Sequence, residues 1–188
     1  MSIVYDKVKQ FVFDSFNHGE NKKAMDHFER TAFWLQEICP NADEAMLISA
    51  YAHDIARAFR DKNVEQQYEG RELNDPRTLE EHQQKGADIM VKFLKEQNYS
   101  RKDIDRVYNM IRHHEEGGDK ESNFIKDADS ISFLEVNALK IIDKFIYNIG
   151  KEKMNNKIVW MYERISDNKA KKLAKPFYET AINELGEY

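Results

Sequence analysis

The chain carries six histidines, His18, His27, His53, His82, His113 and His114, and His53 is followed directly by Asp54 inside the apolar run AYAHDIARAF. Two ionisable groups in such a run need compensation, because a buried unpaired charge is disfavoured by several kcal/mol or is forced to shift its pKa. Neutral imidazole and carboxylate together are the donor set of borderline divalent metals, so a converging metal centre would supply that compensation. All the histidines except His18 fall on segments with helical periodicity. A further carboxylate is on offer in FIKDADSISFLE, where Asp127 and Asp129 stand among Ile125, Ala128 and Ile131. Neighbouring helical residues diverge by about 100°. His53 and Asp54 therefore cannot point one way, but they can approach two metals lying beside the helix, with the two oxygens of Asp54 able to bridge them. By the same geometry, one of His113 and His114 could be a ligand and the other a contact to a neighbouring group. Arg57 lies one turn beyond Asp54 and Lys85 one turn beyond His82, so each can face its neighbour's pocket and would suit phosphate oxygens.

The elements that must position these groups are helices. Gly and Pro number only 7 and 3, and no alternating strand pattern occurs. From Ala24 to Ile38, the apolar Phe28, Ala32, Leu35 and Ile38 recur at steps of three and four. A second core helix restarts after Pro40, with Asn41 as N-cap and Glu44 completing a capping box, and the His-Asp pair belongs to it. Residues 60–77 lose the periodicity and are expected to form a long surface loop that closes over the substrate. Asp75 and Pro76 start the helix that carries His82, and Ser100 with Asp103 caps the one that ends in HHEE. After GGDKES a long helix is expected from about Asn123 to Ile149, followed by two amphipathic segments, NNKIVWMYERIS and KAKKLAKPFYETAINEL.

With 188 residues, 41% of them hydrophobic, the chain suffices for one core, so a single all-α domain over residues 1–188 is expected. A net charge of -5, from 29 basic against 34 acidic residues, offers no electrostatic case for binding nucleic acid and leaves small ligands as the expected partners. The lone Cys39, the absence of a leader pattern at the start and the lack of any apolar run near the ~18 residues that span a bilayer point to a soluble cytoplasmic protein. It is expected to be a monomer or homodimer.

Taken in order, His27, His53-Asp54, His82, His113/His114 and Asp129 resemble the HD-domain superfamily of metal-dependent phosphohydrolases over roughly residues 20–150. The two histidine positions beyond the minimal H, HD and D resemble the subset with dinuclear sites, such as the bacterial diadenosine tetraphosphate hydrolases and the HD-GYP phosphodiesterases. HHEEGG is similar to the latter, although GGDKESN stands where their GYP tripeptide would be. The resemblance implies a compact helical bundle of the HD-domain type, with the helices of residues 151–188 packed on its metal-binding core. It also implies a divalent transition metal cofactor, two ions in all, with Fe, Mn, Co, Ni and Zn equally compatible. His27, His53, Asp54 and Asp129 would hold the first ion. Asp54 would bridge to a second held by His82 and His114, with His113 as substitute or addition, and Asp129 is placed ahead of Asp127. Arg57, Lys85, Arg112 and Lys126 would meet substrate phosphate, so that Asp54, His82, Lys85 and Arg57 form the expected catalytic set. The implied reaction is hydrolysis, by a metal-acidified water, of a phosphomonoester, phosphodiester or phosphoanhydride in a nucleotide or other small phosphorylated metabolite. A di-iron oxygenase on the same ligand order and a metal- or nucleotide-binding module without turnover remain alternatives.

Overall fold

The computed structural model describes residues 3–16, 22–59 and 73–188, except the side chains of residues 22–24. The expected loop over residues 60–77 falls largely outside this description, which resumes at residue 73, and so does His18. α1 (Ile3–Phe16) buries the stripe Tyr5, Val8, Val12 and Phe16. α2 (Lys22–Ile38) turns Phe28, Ala32, Leu35 and Ile38 into the core, as their spacing predicts.

α3 (Glu44–Ala52) is buried on nearly every side, through Ala45, Met46, Ile48, Ser49, Ala50, Tyr51 and Ala52, which makes it the central helix. Its cap is Asp43, whose carboxylate accepts from the Met46 amide at 3.1 Å, and not Asn41. A turn closed by the Ala42 amide on the Cys39 carbonyl at 2.9 Å delays the helix start. Glu44 is thereby released from any capping box, and it accepts from the Tyr5 amide at 3.1 Å and the Tyr99 hydroxyl at 3.4 Å. The His-Asp pair also departs from expectation. The α-helix stops at Ala52, His53 and Asp54 form a turn, and a 3₁₀ helix runs over Ile55–Phe59.

α4 (Pro76–Glu96) starts as predicted, with Pro76 in the first turn and Asp75 accepting from the Thr78 amide at 3.0 Å. α5 (Arg101–Arg112) is capped by Ser100, which accepts from the Asp103 amide at 3.1 Å. The chain then turns at Gly117, at φ 79°, a backbone that favours glycine, and the Gly117 amide closes on the His113 carbonyl at 2.8 Å. The predicted long helix comes in three consecutive pieces: α6 (Lys120–Ser132), a π-helical stretch Phe133–Asn137, and α7 (Ala138–Ile149). It begins earlier than Asn123 because Asp119 caps the Ser122 amide at 2.9 Å. In the π stretch Glu135 accepts from Arg30 Nε at 2.7 Å, Arg30 Nη2 at 2.8 Å and Trp34 Nε1 at 2.7 Å, which ties it to α2. π turns are rare and often mark functional sites.

α8 (Lys151–Glu163) and α9 (Asn168–Glu187) complete the bundle, with α9 lying against α8 and α6. α2 and α5 flank α3, and α4 packs along α5. One continuous apolar cluster runs from Tyr5 on α1 to Leu185 on α9. The chain is a single compact all-α domain. Among the described residues no helix is long and apolar enough to cross a membrane.

Candidate metal centre

Five elements deliver polar groups to one buried spot: His27 from α2, His53 and Asp54 from the turn after α3, His82 from α4, His114 and Glu115 from the end of α5, and Asp129 from α6. Two groups of three, His27–His53–Asp54 and Asp54–His82–His114, each place ligand-type atoms within 4.8 Å of one another, and Asp54 belongs to both. Asp129 completes the first group, with Oδ1 at 3.1 Å from His27 Nε2 and 3.3 Å from His53 Nε2. In the second, Asp54 Oδ1 is 3.1 Å from His82 Nε2, and the Nε2 atoms of His82 and His114 are 3.2 Å apart.

Local structure explains the convergence. A 3₁₀ helix has three residues per turn, so residues three apart eclipse. The Arg57 amide donates to the Asp54 carbonyl at 2.9 Å, and Arg57 Nε lands 2.5 Å from Asp54 Oδ2. α4 runs close against the His-Asp turn at Gly86, where a Cβ would be in van der Waals contact, 3.4 Å, with the His53 carbonyl oxygen.

Partners orient the rings. The His53 Nδ1 faces the Ala50 carbonyl at 2.9 Å and the His114 Nδ1 faces the Ile111 carbonyl at 2.7 Å. Carbonyls only accept, so both Nδ1 atoms carry hydrogen. The Ser132 hydroxyl donates to the His27 carbonyl at 2.8 Å, which leaves it to accept from His27 Nδ1 at 2.8 Å. All three rings thus turn Nε2 inward, and such outer hydrogen bonds are what orient metal-binding imidazoles. Among the described residues, His53 Nε2 and Asp54 Oδ1, both inside the cluster, are buried without a hydrogen-bond partner, as is His82 Nδ1 on the outer side of its ring. Nitrogen lone pairs and carboxylate oxygens at these separations attract one another only through a shared proton or cation. The donor set therefore fits a divalent metal.

Burial opposes charging of His53, but Asp129, and after it Asp54, override burial and lift its pKa to about 9. Its proton and a metal ion compete for the same carboxylates. Burial would raise the Asp54 carboxyl, yet the Arg57 guanidinium, with His82 and His53, holds it well below the usual range. Burial likewise works against Asp129, which His53 and Arg164 hold well below it. His114 is pushed down to about 4 by burial, against the pull of Glu115, and is neutral at pH 7.

The other expected residues lie elsewhere. His113 is half-buried and does not join the cluster: it caps α5, and only its successor is rotated inward. Lys85 is exposed and donates to the Phe59 carbonyl at 2.9 Å. It lines an outer depression of about 500 Å³ with Glu80, Gln84 and Arg112, so one turn from His82 on the helix is not the same face. Arg112 is held there by Gln84 at 3.0 Å and Glu80 at 2.9 Å. Lys126 is buried beside Asn123 at 3.4 Å and Asp127 at 3.9 Å. Asp127 points away from the histidines and accepts from the Ser166 amide at 2.9 Å and the Asp167 amide at 2.8 Å. It anchors the link between α8 and α9.

Two residues absent from the sequence reading shape the centre. Glu115 Oε1 is 3.5 Å from His82 Nε2 and 3.7 Å from His114 Nε2. Arg164, buried at the end of α8, pairs with both Glu115 Oε2 and Asp129 Oδ2, and it donates to Ser130 Oγ at 2.8 Å and the Glu115 carbonyl at 3.2 Å. Burial works against the Glu115 charge, but Arg164 and then Lys157 lower its pKa to about 2. Glu115 had a signal in its place beside His114. Arg164 had none, being 35 positions beyond Asp129.

A family model described as a domain of unknown function, DUF4202, matches residues 10–185. No curated protein matches the chain. Among solved structures, the crystal structure of a predicted HD superfamily hydrolase from an uncultured Thermotogales bacterium aligns over 97% of this chain and 89% of its own, with a TM-score of 0.61 and 18% identity. At that identity the likeness speaks for the fold, which is the HD-type helical fold expected from the order of the histidines.

Proposed function

Since the chain belongs to the DUF4202 family and has the HD-type fold, we propose that it is a metal-dependent phosphohydrolase. Its substrate would be a phosphomonoester, phosphodiester or phosphoanhydride of a nucleotide or other small phosphorylated metabolite. The observation that carries this reading is the inward-facing donor set, in which His53 Nε2 and Asp54 Oδ1 are buried without a hydrogen-bond partner among the described residues. His27, His53, Asp54 and Asp129 would hold one ion and Asp54, His82 and His114 a second. When bound, such ions supply an acidified water and neutralise phosphoryl oxygens.

The chain's own groups do the rest. Arg57 keeps Asp54 ionised, and the 39% exposure of its side chain suits it to meet a phosphoryl group arriving from solvent. A planar guanidinium suits that task because it offers paired donors to phosphate oxygens. Glu115, held ionised by Arg164, orders His82 and His114 and does not serve as a proton donor. The outer hydrogen bonds from Ser132, Ala50 and Ile111 keep the rings from rotating as substrate binds.

The test is metal analysis of the purified protein followed by a phosphoester panel with wild type, Asp54→Ala and His82→Ala. Phosphate release that depends on bound metal and is lost in both variants supports the reading. Oxygen consumption with no phosphate release would replace it with di-iron oxygenation.

A further inference from the structure

Lys157 on α8 has entered so far only as a lesser cause, after Arg164, of the low Glu115 pKa, yet it is only 9% exposed. Its ammonium meets aromatic faces: Nζ stands 4.4 Å from the Trp160 ring centre and 5.6 Å from that of Phe133. Among the described residues no carboxylate lies within ion-pair distance of Nζ and no acceptor hydrogen-bonds to it. A buried lysine with no direct ion pair or hydrogen bond is unfavourable, and an unbranched apolar side chain would occupy the position at less cost.

The surroundings suggest what the charge is for. The charges Lys157 feels are, in decreasing strength, Glu115, Arg164, Arg57 and Asp129, and all four border the metal centre. Both carboxylates are already engaged by Arg164. The guanidinium of Arg164 also lies over Trp160, with Cζ 4.6 Å from its ring centre, so one indole carries both cations. Cation–π contact of this kind steadies a charge without neutralising it. Burial lowers the Lys157 pKa to about 8, which leaves it mainly protonated at pH 7. It is a cation held ready beside the metal centre, where burial strengthens its attraction for an anion.

We propose that Lys157 binds a second phosphate of the substrate, one that is not attacked, so that the substrate is a small molecule with two phosphoryl groups, adjacent or separate. The inference rests on the phosphohydrolase reading for the first phosphate, which belongs at the metal ligands and Arg57. Lys157 touches none of those ligands and is set back from them on α8.

The experiment compares methylenediphosphonate, which cannot be hydrolysed at its P–C–P bridge, with inorganic phosphate. Binding to metal-loaded wild type and Lys157→Met is measured by titration calorimetry, with metal content checked after each run. Wild type is expected to prefer the diphosphonate, and the variant to lose about tenfold or more in diphosphonate affinity, the size expected for a charged hydrogen bond. Its phosphate affinity should change by less than about threefold. Lys157→Met should also melt at a higher temperature than wild type, which a lysine present for stability would not allow. Lys157→Gln is run in parallel and must show the same selective loss, so poor folding of one variant does not decide the matter. Equal loss for both anions, unchanged diphosphonate affinity, or no preference in wild type overturns the proposal. If diphosphonate binding depends on Lys157 while no phosphoester is hydrolysed, the subsite stands and the hydrolase reading falls.

Discussion

Replacing Arg164 by Met should destabilise the chelator-treated protein more than any other single change at the centre. Arg164 is buried between Asp129 and Glu115, so its loss strands two buried carboxylates. The Glu115 carboxyl sits at about 2 instead of 4.5, and at ~1.4 kcal/mol per pH unit that corresponds to about 3 kcal/mol, with Arg164 the largest favourable contributor. Asp129 adds to this, and breaking a buried pair by removing one partner costs about 3–5 kcal/mol. For a chain of this size each kcal/mol moves the melting temperature by about 2–4 °C, so a fall of roughly 6–20 °C is expected. The pH dependence has a definite sign. A carboxyl whose pKa is lower in the folded protein stabilises it above the unfolded value of 4.5 and loses that contribution as pH falls towards about 2. Wild type should therefore lose stability steeply in that interval, and the variant less so. Adding Glu115→Gln should recover part of the loss, because one stranded charge is gone. The assay is thermal melting followed by circular dichroism in chelator, from pH 7 down to 2.5. A variant that melts within about 2 °C of wild type at pH 7 would refute the reasoning.

His82→Ala should keep the fold and lose about half of the bound metal, read by elemental analysis; full retention would rule out a second ion at His82 and His114. Chelation of wild type should lower the melting temperature, because an ion that binds only the folded state stabilises it by mass action, and an unchanged curve after verified metal removal would contradict a buried centre. The two aspartates of DADS should separate cleanly. Asp127→Ala removes the acceptor of the Ser166 and Asp167 amides and should cost about 1–3 kcal/mol with metal retained, whereas Asp129→Ala should lose metal. Metal loss in the first variant and retention in the second would reverse the assignment.

The order of the histidines, the caps at Ser100 and Asp75, and the apolar stripe of α2 were legible in the sequence because each depends on residues within one or two turns. An all-α HD-type domain follows from them. The shorter-range failures have local causes too. A turn at Pro40 moved the α3 cap from Asn41 to Asp43, and the helix gave way to 3₁₀ geometry at the His-Asp pair, which periodicity alone does not distinguish from a continuing α-helix.

The resemblance placed Asp129 ahead of Asp127 and His114 ahead of His113, but the physical reason that those members face inward lies in the tertiary structure. His114 enters the cluster and His113 does not, and Asp129 meets the histidines while Asp127 anchors the α8–α9 link. Neighbouring residues point about 100° apart, and only the helix packed alongside determines which direction is inside. Lys85 shows the same point from the other side: one turn from His82 in sequence, it lies on the outer surface. Arg164 and Lys157 could not be read at all, because what makes them significant is burial next to carboxylates and rings that come from other elements. The sequence by itself determined the donor types and the helices that carry them. The packing of α8 against the bundle decided which charges those donors face, because electrostatic interaction depends on distance in space and not on separation along the chain.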